Sequence, residues 1–402
     1  MLTADQLAVI QQTVPVLQEH GETLTRHFYQ RLFRENPEVK AYFNPAHQRS
    51  GSQQRALAGA ICAYAQHVDN PAALMGAVEL IAQKHASLGI RPEHYPIVGA
   101  NLLASIREVL GEAASDDVIN AWAAAYGALA DIFIQREAEI YQAQEQAHGW
   151  QGFKRFVVTR REPVSTNILS LYLEPEDGRA LRPHRPGQYV TIRVTPPGGR
   201  TEMRNYSLSN RPGEAFYRIS VKREEGTPAG VCSNYLHDQL KVGQQVELSP
   251  PCGEFVLQEN QAEKPLVLIA GGVGITPILS MLHASLASSP RRPVVFIQGA
   301  LNSAVQPFQQ ELAELKRRHA NLTAHLRYSE PLPGDRAGVS HDSDGLIDAA
   351  LLDHLVGDRV AEYYFCGPEP MLQAVHGLLR ERGVDEADIH YEFFGPAGSL
   401  AA

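Results

Sequence analysis

The spacing of apolar residues changes twice along the chain. In residues 1-148 apolar side chains recur at helical intervals, as at Leu24, Phe28 and Leu32, which places them on one helix face. Gly and Pro, which interrupt regular structure, are sparse there, at 8 Gly and 6 Pro in 148 residues. This pattern predicts an all-helical (all-α) domain over residues 1-148.

Beyond a polar stretch at 141–150 the apolar period shifts toward two. Residues 155–160, 168–173 and 215–221 are short runs rich in β-branched and aromatic side chains, a composition typical of strands. Clusters of Pro and Gly separate several of these runs. We expect a small antiparallel β-barrel or a sandwich over residues 149-263.

From about Lys264 the pattern changes again. Continuously apolar strands at 266–270, 294–298 and 363–365 alternate with helical stretches such as 308–318 and 371–382. Strands buried on both faces and separated by helices predict a parallel sheet flanked by helices. The third domain, 264-402, is therefore expected to be α/β, which makes the fold multi-domain.

Composition narrows the class of protein. The 402 residues carry 36 Lys+Arg against 45 Asp+Glu, a net charge of −9, so nothing favours nucleic acid as a partner. The four cysteines form no CxxC or CxxCH pattern, which excludes covalent c-type haem and predicts a reducing, cytoplasmic location. The start of the chain lacks a signal-peptide pattern, and its most apolar run, 266–281, is too short and too broken for a membrane span.

A glycine-rich turn follows the strand at 266–270. Its residues are Gly271, Gly272, Val273, Gly274, Ile275, Thr276 and Pro277. Glycines let a backbone approach a pyrophosphate, Thr276 is expected to cap the following helix, and Pro277 to occupy its first turn. Pro277 replaces the third glycine of a dinucleotide fingerprint and no acid closes the next strand, so a plain tight connection remains an alternative.

Two further segments upstream have the chemistry of a flavin site. The strand-like segment Arg204, Asn205, Tyr206 and Ser207 offers a guanidinium for phosphate, an aromatic ring and a hydroxyl. The segment Gly230, Val231, Cys232 and Ser233 precedes a helical stretch, another candidate anion-binding helix start. Taken singly, the Arg and Tyr could equally be a surface cation and a core aromatic.

Together these motifs resemble the ferredoxin-NADP reductase family over residues 152–402. The resemblance rests on six motifs in order, which are Pro186-Gly187-Gln188-Tyr189, Arg204-Asn205-Tyr206-Ser207, Gly230-Val231-Cys232-Ser233, Gly271 to Pro277, Cys366-Gly367-Pro368 and Glu392-Phe393-Phe394-Gly395-Pro396.

This resemblance implies an FAD-binding barrel joined to a nicotinamide-binding domain. Tyr189, the 204–207 segment and the 230–233 segment would hold FAD, and Gly271 to Thr276 the phosphates of NADH or NADPH. Cys366 would lie near the nicotinamide, and Phe393, Phe394, Gly395 and Pro396 would cover the flavin. The choice between NADH and NADPH stays open, because 327–330 offers only an ambiguous polar site.

The helical domain has one histidine in a context suited to iron. His85 closes an amphipathic stretch containing Leu80, Ile81 and Lys84, and a neutral imidazole there can ligate a metal. Most histidines are surface or hydrogen-bonded residues, so the neighbours must decide.

Four other residues suit a pocket beside a flat cofactor. Tyr29 shares a helix face with Leu32, and Phe43 is the type of aromatic that wedges against a macrocycle. Gln53 and Leu57, four residues apart, share a helix face. Tyr29 and Phe43 could also be ordinary core aromatics.

Tyr95 and Glu137 are far apart in sequence, yet each could reach His85 if their helices pack beside it. A carboxylate behind an iron-ligating His increases its electron donation, which favours O₂ activation. The alternative is a solvated Glu137, since Glu139 is close by.

With the reductase half, this set resembles the bacterial flavohaemoglobins over essentially the whole chain. The resemblance implies haem b with His85 as proximal ligand, Tyr95 and Glu137 as its hydrogen-bonding network, and Phe43 against the haem. Tyr29 would donate to bound O₂, Gln53 would be its polar neighbour and Leu57 would limit access. Lys84 would lie between haem and reductase, where its charge could tune redox potentials.

The family's activity is nitric oxide dioxygenation, and we expect it here. NAD(P)H would reduce FAD, FAD would reduce haem, and the ferrous-oxy haem would oxidise NO to nitrate, with O₂ and NO as small-molecule partners. Two alternatives stay open, a sensing or storage globin whose reductase keeps iron ferrous, and a reductase for a lipid hydroperoxide or other acceptor. A monomer is expected, and a lipid in the haem pocket stays open.

Overall fold

The computed structural model describes residues 2–227, 229–258 and 264–395. Contacts divide the chain into two compact units, Met1–Phe153 with Arg193–Arg204, and Lys154–Ile192 with Asn205–Ala402. The domain limits 1-148, 149-263 and 264-402 stay predictions, because this division groups the two reductase domains together.

The first part of the chain is helical, as its apolar period predicts. Its α-helices are α1 (Ala4–Gln12), α2 (Val14–Glu35), α3 (Pro45–Arg49), α4 (Ser52–Gln66), α5 (Met75–Leu88), α6 (His94–Leu110) and α7 (Asp116–His148). Sequence signals explain several ends: Thr3 forms a capping box before α1, and Gly89, at φ 76°, ends α5 in a left-handed conformation. Their buried faces, including Leu24, Phe28 and Trp122, form one apolar core.

Helix α7 also meets a length-and-hydropathy criterion for a membrane span. Among the residues that the structure describes, it is the helix that does so, with a mean hydropathy of 1.2 over an 18-residue window. Core helices of globular proteins pass the same test, and α7 buries Trp122, Phe133 and Glu137. The criterion therefore does not show a span, and the expectation of none stays a prediction.

The second part is the predicted antiparallel barrel sheet. Its elements are β1 (Lys154–Pro163), β2 (Ile168–Pro175), β3 (Tyr189–Val194), β4 (Glu202–Ser207), β5 (Tyr217–Lys222), α8 (Val231–Asp238) and β6 (Gln245–Leu248). The strand order is β4-β3-β6-β1-β2-β5, and β1 pairs antiparallel with both β2 and β6. The alternating apolar residues of 155–160 and 168–173 thus fall in neighbouring strands.

The third part is the predicted parallel α/β domain. Its elements are β7 (Leu266–Gly271), α9 (Ile275–Ser288), β8 (Val294–Ala300), α10 (Gln309–Arg318), β9 (Leu322–Tyr328), β10 (Ser343–Asp344), α11 (Ala349–Leu355), β11 (Glu362–Cys366), α12 (Glu369–Glu381) and β12 (Ile389–Glu392).

Strand β7 is where this sheet reverses its order. The order is β10-β9-β8-β7-β11-β12, with β7 parallel to β8 on one side and to β11 on the other. In open α/β sheets ligands bind beyond the carboxyl end of the strand at such a switch point. The glycine-rich turn follows β7 directly, so it lies at that crevice.

Candidate functional site

The imidazole of His85 lies at the centre of a small polar cluster. His85 stands in the last turn of α5, and its Nδ1 is 2.7 Å from Oε1 of Glu137 and 3.2 Å from the hydroxyl of Tyr95. The Tyr95 hydroxyl donates to the same Glu137 oxygen at 2.5 Å. Helices α5, α6 and α7 thus bring together three residues that span more than fifty positions of sequence.

The cluster is closed on the carboxylate side. Glu137 is 2% exposed, and Phe133 packs 5.6 Å from the His85 ring. Burial, then the hydrogen bond to Glu137, raises the pKa of Tyr95, so its phenol stays protonated and donating. Because a carboxylate only accepts, Nδ1 carries the proton and donates to Glu137.

The opposite nitrogen of His85 fits a metal. With Nδ1 protonated, Nε2 carries a lone pair, and none of the described residues hydrogen-bonds to it. The side chain is 32% exposed although its helix lies in the core. Within the described residues no group of three or more His, Cys, Asp or Glu could hold an ion, so the candidate iron ligand is this single imidazole, with a porphyrin supplying the other ligands.

Tyr29 forms the second polar feature of the helical domain. It is buried on α2, and burial raises its pKa while a hydrogen bond with Gln53 lowers it. The ring of Phe43 meets it edge-on at 5.6 Å between centroids. Leu57 follows Gln53 by one turn of α4. The structure therefore gathers Tyr29, Phe43 and Gln53 as the sequence predicts.

Lys84 is exposed beside His85 on α5. Lys84 has a neighbour that the sequence did not single out, His47. Burial, and then the charges of Lys84 and Arg204, lower the pKa of His47 to about 4. His47 is therefore neutral near neutral pH. Its only sequence signal is the position four residues after Phe43.

The flavin-type motif occupies strand β4, as predicted. Arg204 forms an ion pair with Glu202, at 2.8 Å between Nη2 and Oε2, and donates a hydrogen bond to the carbonyl of Met203. Tyr206 is half-buried and Ser207 buried. The strand thus presents a guanidinium, an aromatic ring and a hydroxyl in sequence.

Asn205 on that strand and Tyr189 on the neighbouring strand β3 make contacts within the protein that the sequence does not indicate. Asn205, exposed, accepts a hydrogen bond from the Thr191 hydroxyl at 2.8 Å. The Tyr189 ring packs over Gly253, where a Cβ would lie 2.9 Å from the ring. Any side chain at Gly253 would displace the Tyr189 ring, so the glycine is needed for the ring to keep its position.

Helix α8 follows a glycine. Gly230, its N-cap, is extended and makes no side-chain cap, while Val231 is exposed and Cys232 and Ser233 are buried. A Cβ on Gly230 would lie 2.6 Å from the Ser233 hydroxyl, so packing favours glycine there. A helix N-terminus suits a phosphate, and the start of α8 therefore fits the segment expected to hold FAD.

The glycine-rich turn is built around a close approach to β11. Gly272 to Gly274 form one turn of 3-10 helix before α9. A Cβ on Gly274 would overlap the carbonyl of Cys366, and one on Gly271 would lie 2.5 Å from the Met371 sulfur. Glycine is thus required by packing, and above Gly272, at φ 53°, the space is open.

One local prediction for this turn is wrong. Thr276 does not cap α9, because the helix begins at Ile275 and the Thr276 hydroxyl donates to the carbonyl of Val273 at 3.0 Å. Pro277 does lie in the first turn. No side chain caps α9 at Gly274, but the Ile275 amide bonds back to the carbonyls of Gly272 and Val273, and Pro277 has no amide hydrogen. A phosphate would therefore approach this turn over Gly272, where the space is open.

Cys366 and Glu392 end adjacent strands, and the C-terminal aromatics follow Glu392. Cys366 is fully buried at the end of β11, opposite Glu392 on β12. Burial and then the Glu392 carboxylate raise the pKa of its thiol. Glu392 is a site neighbour that sequence reasoning did not assign a role.

Phe393, Phe394 and Gly395 follow β12, and Phe394 is 44% exposed. An exposed aromatic beside the switch-point crevice fits a ring that covers a flat cofactor. Pro396, also predicted to cover the flavin, lies outside the described residues.

Three family models match successive parts of the chain. A globin model matches residues 26–133, an oxidoreductase FAD-binding domain residues 155–257 and an oxidoreductase NAD-binding domain residues 268–377. The fold and these sites therefore define an NAD(P)H-dependent oxidoreductase that joins a haem-binding globin to a flavin reductase.

Full-length relatives narrow the class to a family. A flavohemoprotein of Rhodopirellula baltica is 49% identical over all of both chains, and one of Halalkalibacterium halodurans is 47% identical over all of this chain and 98% of its own. The chain belongs to the flavohemoprotein family, the flavohaemoglobins. It accordingly uses haem, FAD and a nicotinamide nucleotide, reduces its haem with NAD(P)H and binds O₂.

Solved structures agree with this assignment. The flavohemoglobin of Malassezia yamatoensis, with bound FAD and haem, superposes with a TM-score of 0.85 at 30% identity, covering 98% of this chain and 100% of that one. The FAD/NAD-binding domain of the nitric oxide dioxygenase of Vibrio cholerae is 36% identical, covering 60% of this chain and 99% of that one, with a TM-score of 0.55.

Proposed function

We propose that this oxidoreductase is a nitric oxide dioxygenase, which combines NO with O₂ to give nitrate at the expense of NAD(P)H. When bound, NAD(P)H supplies a hydride, FAD divides its electron pair, and haem iron takes the electrons singly and binds O₂. Support comes from family membership and from the Vibrio cholerae relative that carries this activity in its name.

The observation that carries the proposal is the buried carboxylate behind His85. Glu137 is 2% exposed and accepts the Nδ1 proton at 2.7 Å. Such a hydrogen bond gives the imidazole imidazolate character and increases its donation to a metal on Nε2. A site that only stores or senses O₂ gains nothing from a strongly donating ligand, because donation favours O₂ activation over release.

The second contribution of the helical domain is a neutral donor. Since burial raises the pKa of Tyr29, its phenol carries a proton at every physiological pH and would hold and orient a diatomic substrate. Gln53 lies beside that phenol, since it partly lowers the pKa that burial raises, and would be a second polar group for the substrate. Leu57, one turn further along α4, would restrict access to small uncharged gases.

The reductase residues have holding rather than chemical roles. Arg204 and Ser207 would bind the FAD, and the turn from Gly271 to Thr276 would bind nucleotide phosphate. Phe394 would cover the flavin and exclude water from it. We further propose a monomer in the cytoplasm, where thiols stay reduced, as the four cysteines form no disulfide in the described residues, and leave a lipid in the haem pocket as a hypothesis.

The test is NADH-dependent NO consumption under air, with nitrate counted as product. We expect nitrate to match the NO consumed, and His85→Ala to abolish the reaction with FAD retained. Tyr29→Phe is expected to lower turnover about tenfold, the effect of about 1.4 kcal/mol, whereas Tyr42→Phe, which removes a hydroxyl 3.3 Å from His94, should not. Turnover no faster than in the Tyr29→Phe and His85→Ala variants would refute the proposal.

The same assay addresses the alternatives. A storage or sensing globin would bind O₂ and oxidise NADH without nitrate stoichiometric with NO. A reductase for a lipid hydroperoxide would oxidise NADH faster on adding the hydroperoxide than on adding NO. Either result would replace the dioxygenase function.

A further inference from the structure

Helix α9 is tied to the flavin barrel through a buried serine. The hydroxyl of Ser280, which is fully buried, donates to the carbonyl of Asn210 at 2.8 Å. The Nε2 of His184, also from the barrel part of the chain, lies 3.2 Å from the same hydroxyl. Ser280 therefore joins two barrel segments to the helix that begins at the glycine-rich turn.

A second tie runs through a buried arginine. Arg218 on β5 is 6% exposed and forms a two-pronged ion pair with Glu311 on α10, at 2.8 and 3.0 Å. Its Nε donates to the hydroxyl of Ser209 at 3.0 Å, and Nη2, which also bonds to Glu311, donates to the carbonyl of Ser209 at 2.6 Å. The guanidinium thus donates hydrogen bonds both to the barrel, at Ser209, and to the nucleotide-binding domain, at Glu311.

Glu311 returns this tie to α9. His283, three residues after Ser280, lies with its Nε2 2.6 Å from Glu311 Oε1. Arg218 also stacks over the ring of Phe308 at 4.9 Å, just before α10. The same helix is therefore linked to the barrel at two successive turns, by Ser280 directly and by His283 through Glu311.

The ties lie next to both candidate cofactor segments. Ser209 and Asn210 follow Ser207, the end of the flavin-type strand β4, by two and three residues. Ser280 follows Thr276, at the start of α9, by one helical turn. A short path of chain segments and hydrogen bonds thus runs from the residues that would bind FAD to those that would bind nucleotide phosphate.

We propose that Ser280, Arg218 and Glu311 are positioning residues, which hold the nicotinamide at the distance and angle from the flavin that hydride transfer requires. In that step a hydride, one proton with two electrons, leaves C4 of the nicotinamide and joins N5 of the flavin, so the nucleotide is oxidised and the flavin reduced. This step precedes any haem chemistry, so the inference stands whether or not NO is the substrate.

Stability alone does not explain these contacts. A buried ion pair is weak evidence for stability, because desolvation offsets its attraction and apolar residues often serve as well. What two-pronged pairing adds is fixed geometry, and misplacement of reactants by 1 Å can lower a rate about a hundredfold. The ion pair of Arg218 with Glu311 links two domains near the segments that would bind the two cofactors, so it is placed to fix the geometry between them.

The experiment is anaerobic stopped-flow reduction of the full-length protein by NADH, with flavin and haem loaded. For Arg218→Met we expect the limiting rate constant of flavin reduction to fall at least about tenfold, with the NADH dissociation constant within about twofold of wild type. Deuteration of NADH at C4 should slow the variant more than the wild type, because transfer becomes rate-limiting. Arg218→Lys, which keeps the charge, should recover part of the rate.

The matched control is Arg292→Met. Arg292 and Glu362 form an ion pair at 2.6 Å wholly within the nucleotide-binding domain, and it is more deeply buried than the pair of Arg218 with Glu311. A merely structural role predicts that both variants lose stability and keep their rate constants. The positioning role predicts loss of rate in Arg218→Met alone.

Two milder variants keep the inference testable if Arg218→Met does not fold. Ser280→Ala and Glu311→Gln remove one contact each, and we expect each to slow flavin reduction several-fold at unchanged FAD content. A readout independent of activity is amide hydrogen exchange of the FAD-free protein. In each variant, amides in both 209–219 and 280–286 should exchange faster than in the wild type. Rate constants within twofold of wild type in Ser280→Ala and Glu311→Gln, or no joint change in exchange, would overturn the proposal.

Discussion

The imidazole of His85 on α5 and the carboxylate of Glu137 on α7 form a hydrogen bond of 2.7 Å, although the two residues are 52 positions apart in sequence. Glu137 is almost fully buried, so its charge is compensated by the Nδ1 proton and the Tyr95 hydroxyl. Burying a carboxylate without such partners would be strongly destabilising. The arrangement therefore fixes the ring orientation of His85 and the nitrogen that faces the iron.

Glu137→Gln should weaken electron donation to the haem while leaving it bound. The amide keeps an acceptor for Tyr95 but loses the charge that draws the Nδ1 proton. Mutations of residues that support a metal ligand typically cost 10- to 100-fold in activity, so we expect at least a tenfold loss of NO consumption. Resonance Raman of the ferrous protein should show a weaker iron–histidine bond.

Glu139→Gln is the control for that prediction. Glu139 lies two residues further along α7, half exposed and paired with Arg136 at 2.7 Å, so it should leave both the Raman band and the rate unchanged. Equal effects of the two substitutions would mean that the charge near His85, rather than its hydrogen bond, sets the iron's properties.

Arg204→Gln should release FAD and spare haem. Arg204 is 18% exposed and is aimed by Glu202, which also pairs with Arg200 at 3.0 Å. A guanidinium can grip a pyrophosphate at two points and an amide cannot, so we expect the FAD-to-haem absorbance ratio of the purified protein to fall several-fold. Arg200→Gln removes the other partner of the same carboxylate and should retain FAD, and stoichiometric flavin in Arg204→Gln would place the pyrophosphate elsewhere.

Much of the fold could be predicted because its signals are local. The helical period of the first 148 residues, the alternation in β1 and β2 and the apolar strands β7, β8 and β11 are each contained within short windows of sequence. The strand order is not local, since β11 comes to lie beside β7 across almost a hundred residues. The switch point at β7, which explains where the glycine-rich turn acts, therefore emerges only from the structure.

The site followed the same division. Gln53 and Leu57 share a helix face by spacing alone, whereas the contact of Glu137 with His85 rests on the packing of α7 against α5. The Thr276 prediction failed because a 3-10 turn at 272–274 moves the start of α9, and a hydroxyl inside the first turn bonds backward to Val273. Arg218 belongs to no motif, and the motif that contains Glu392 gives that carboxylate no role, since the neighbours of both residues come from distant segments.

Gly274→Ala should disturb the nucleotide site and the fold around it. A methyl group there would overlap the carbonyl of Cys366, and backbone cannot move aside as a side chain can. We expect a loss of roughly 1–3 kcal/mol in stability, typical of overpacking, together with weaker NADH binding measured by titration. Gly377→Ala, on α12 with no atom within 4 Å of the new Cβ, is the control, and an unchanged dissociation constant in Gly274→Ala would show that the turn does not hold the nucleotide.

The ion pair of Arg218 with Glu311 should make the reductase part acid-sensitive. Burial alone would raise the Glu311 pKa, but His283 and Arg218 together hold it at about 2, below the ordinary value of 4.5. A carboxyl with a depressed folded-state pKa contributes stability above its unfolded value, and that contribution is lost as pH falls through the interval toward the folded value. The thermal midpoint of the wild type should therefore drop toward that of Glu311→Gln between about pH 5 and 2, measured by following flavin release on heating. Because the variant has no such carboxyl, its own midpoint should change less over the same range, and parallel curves for the two proteins would show that Glu311 titrates alike in the folded and unfolded chains.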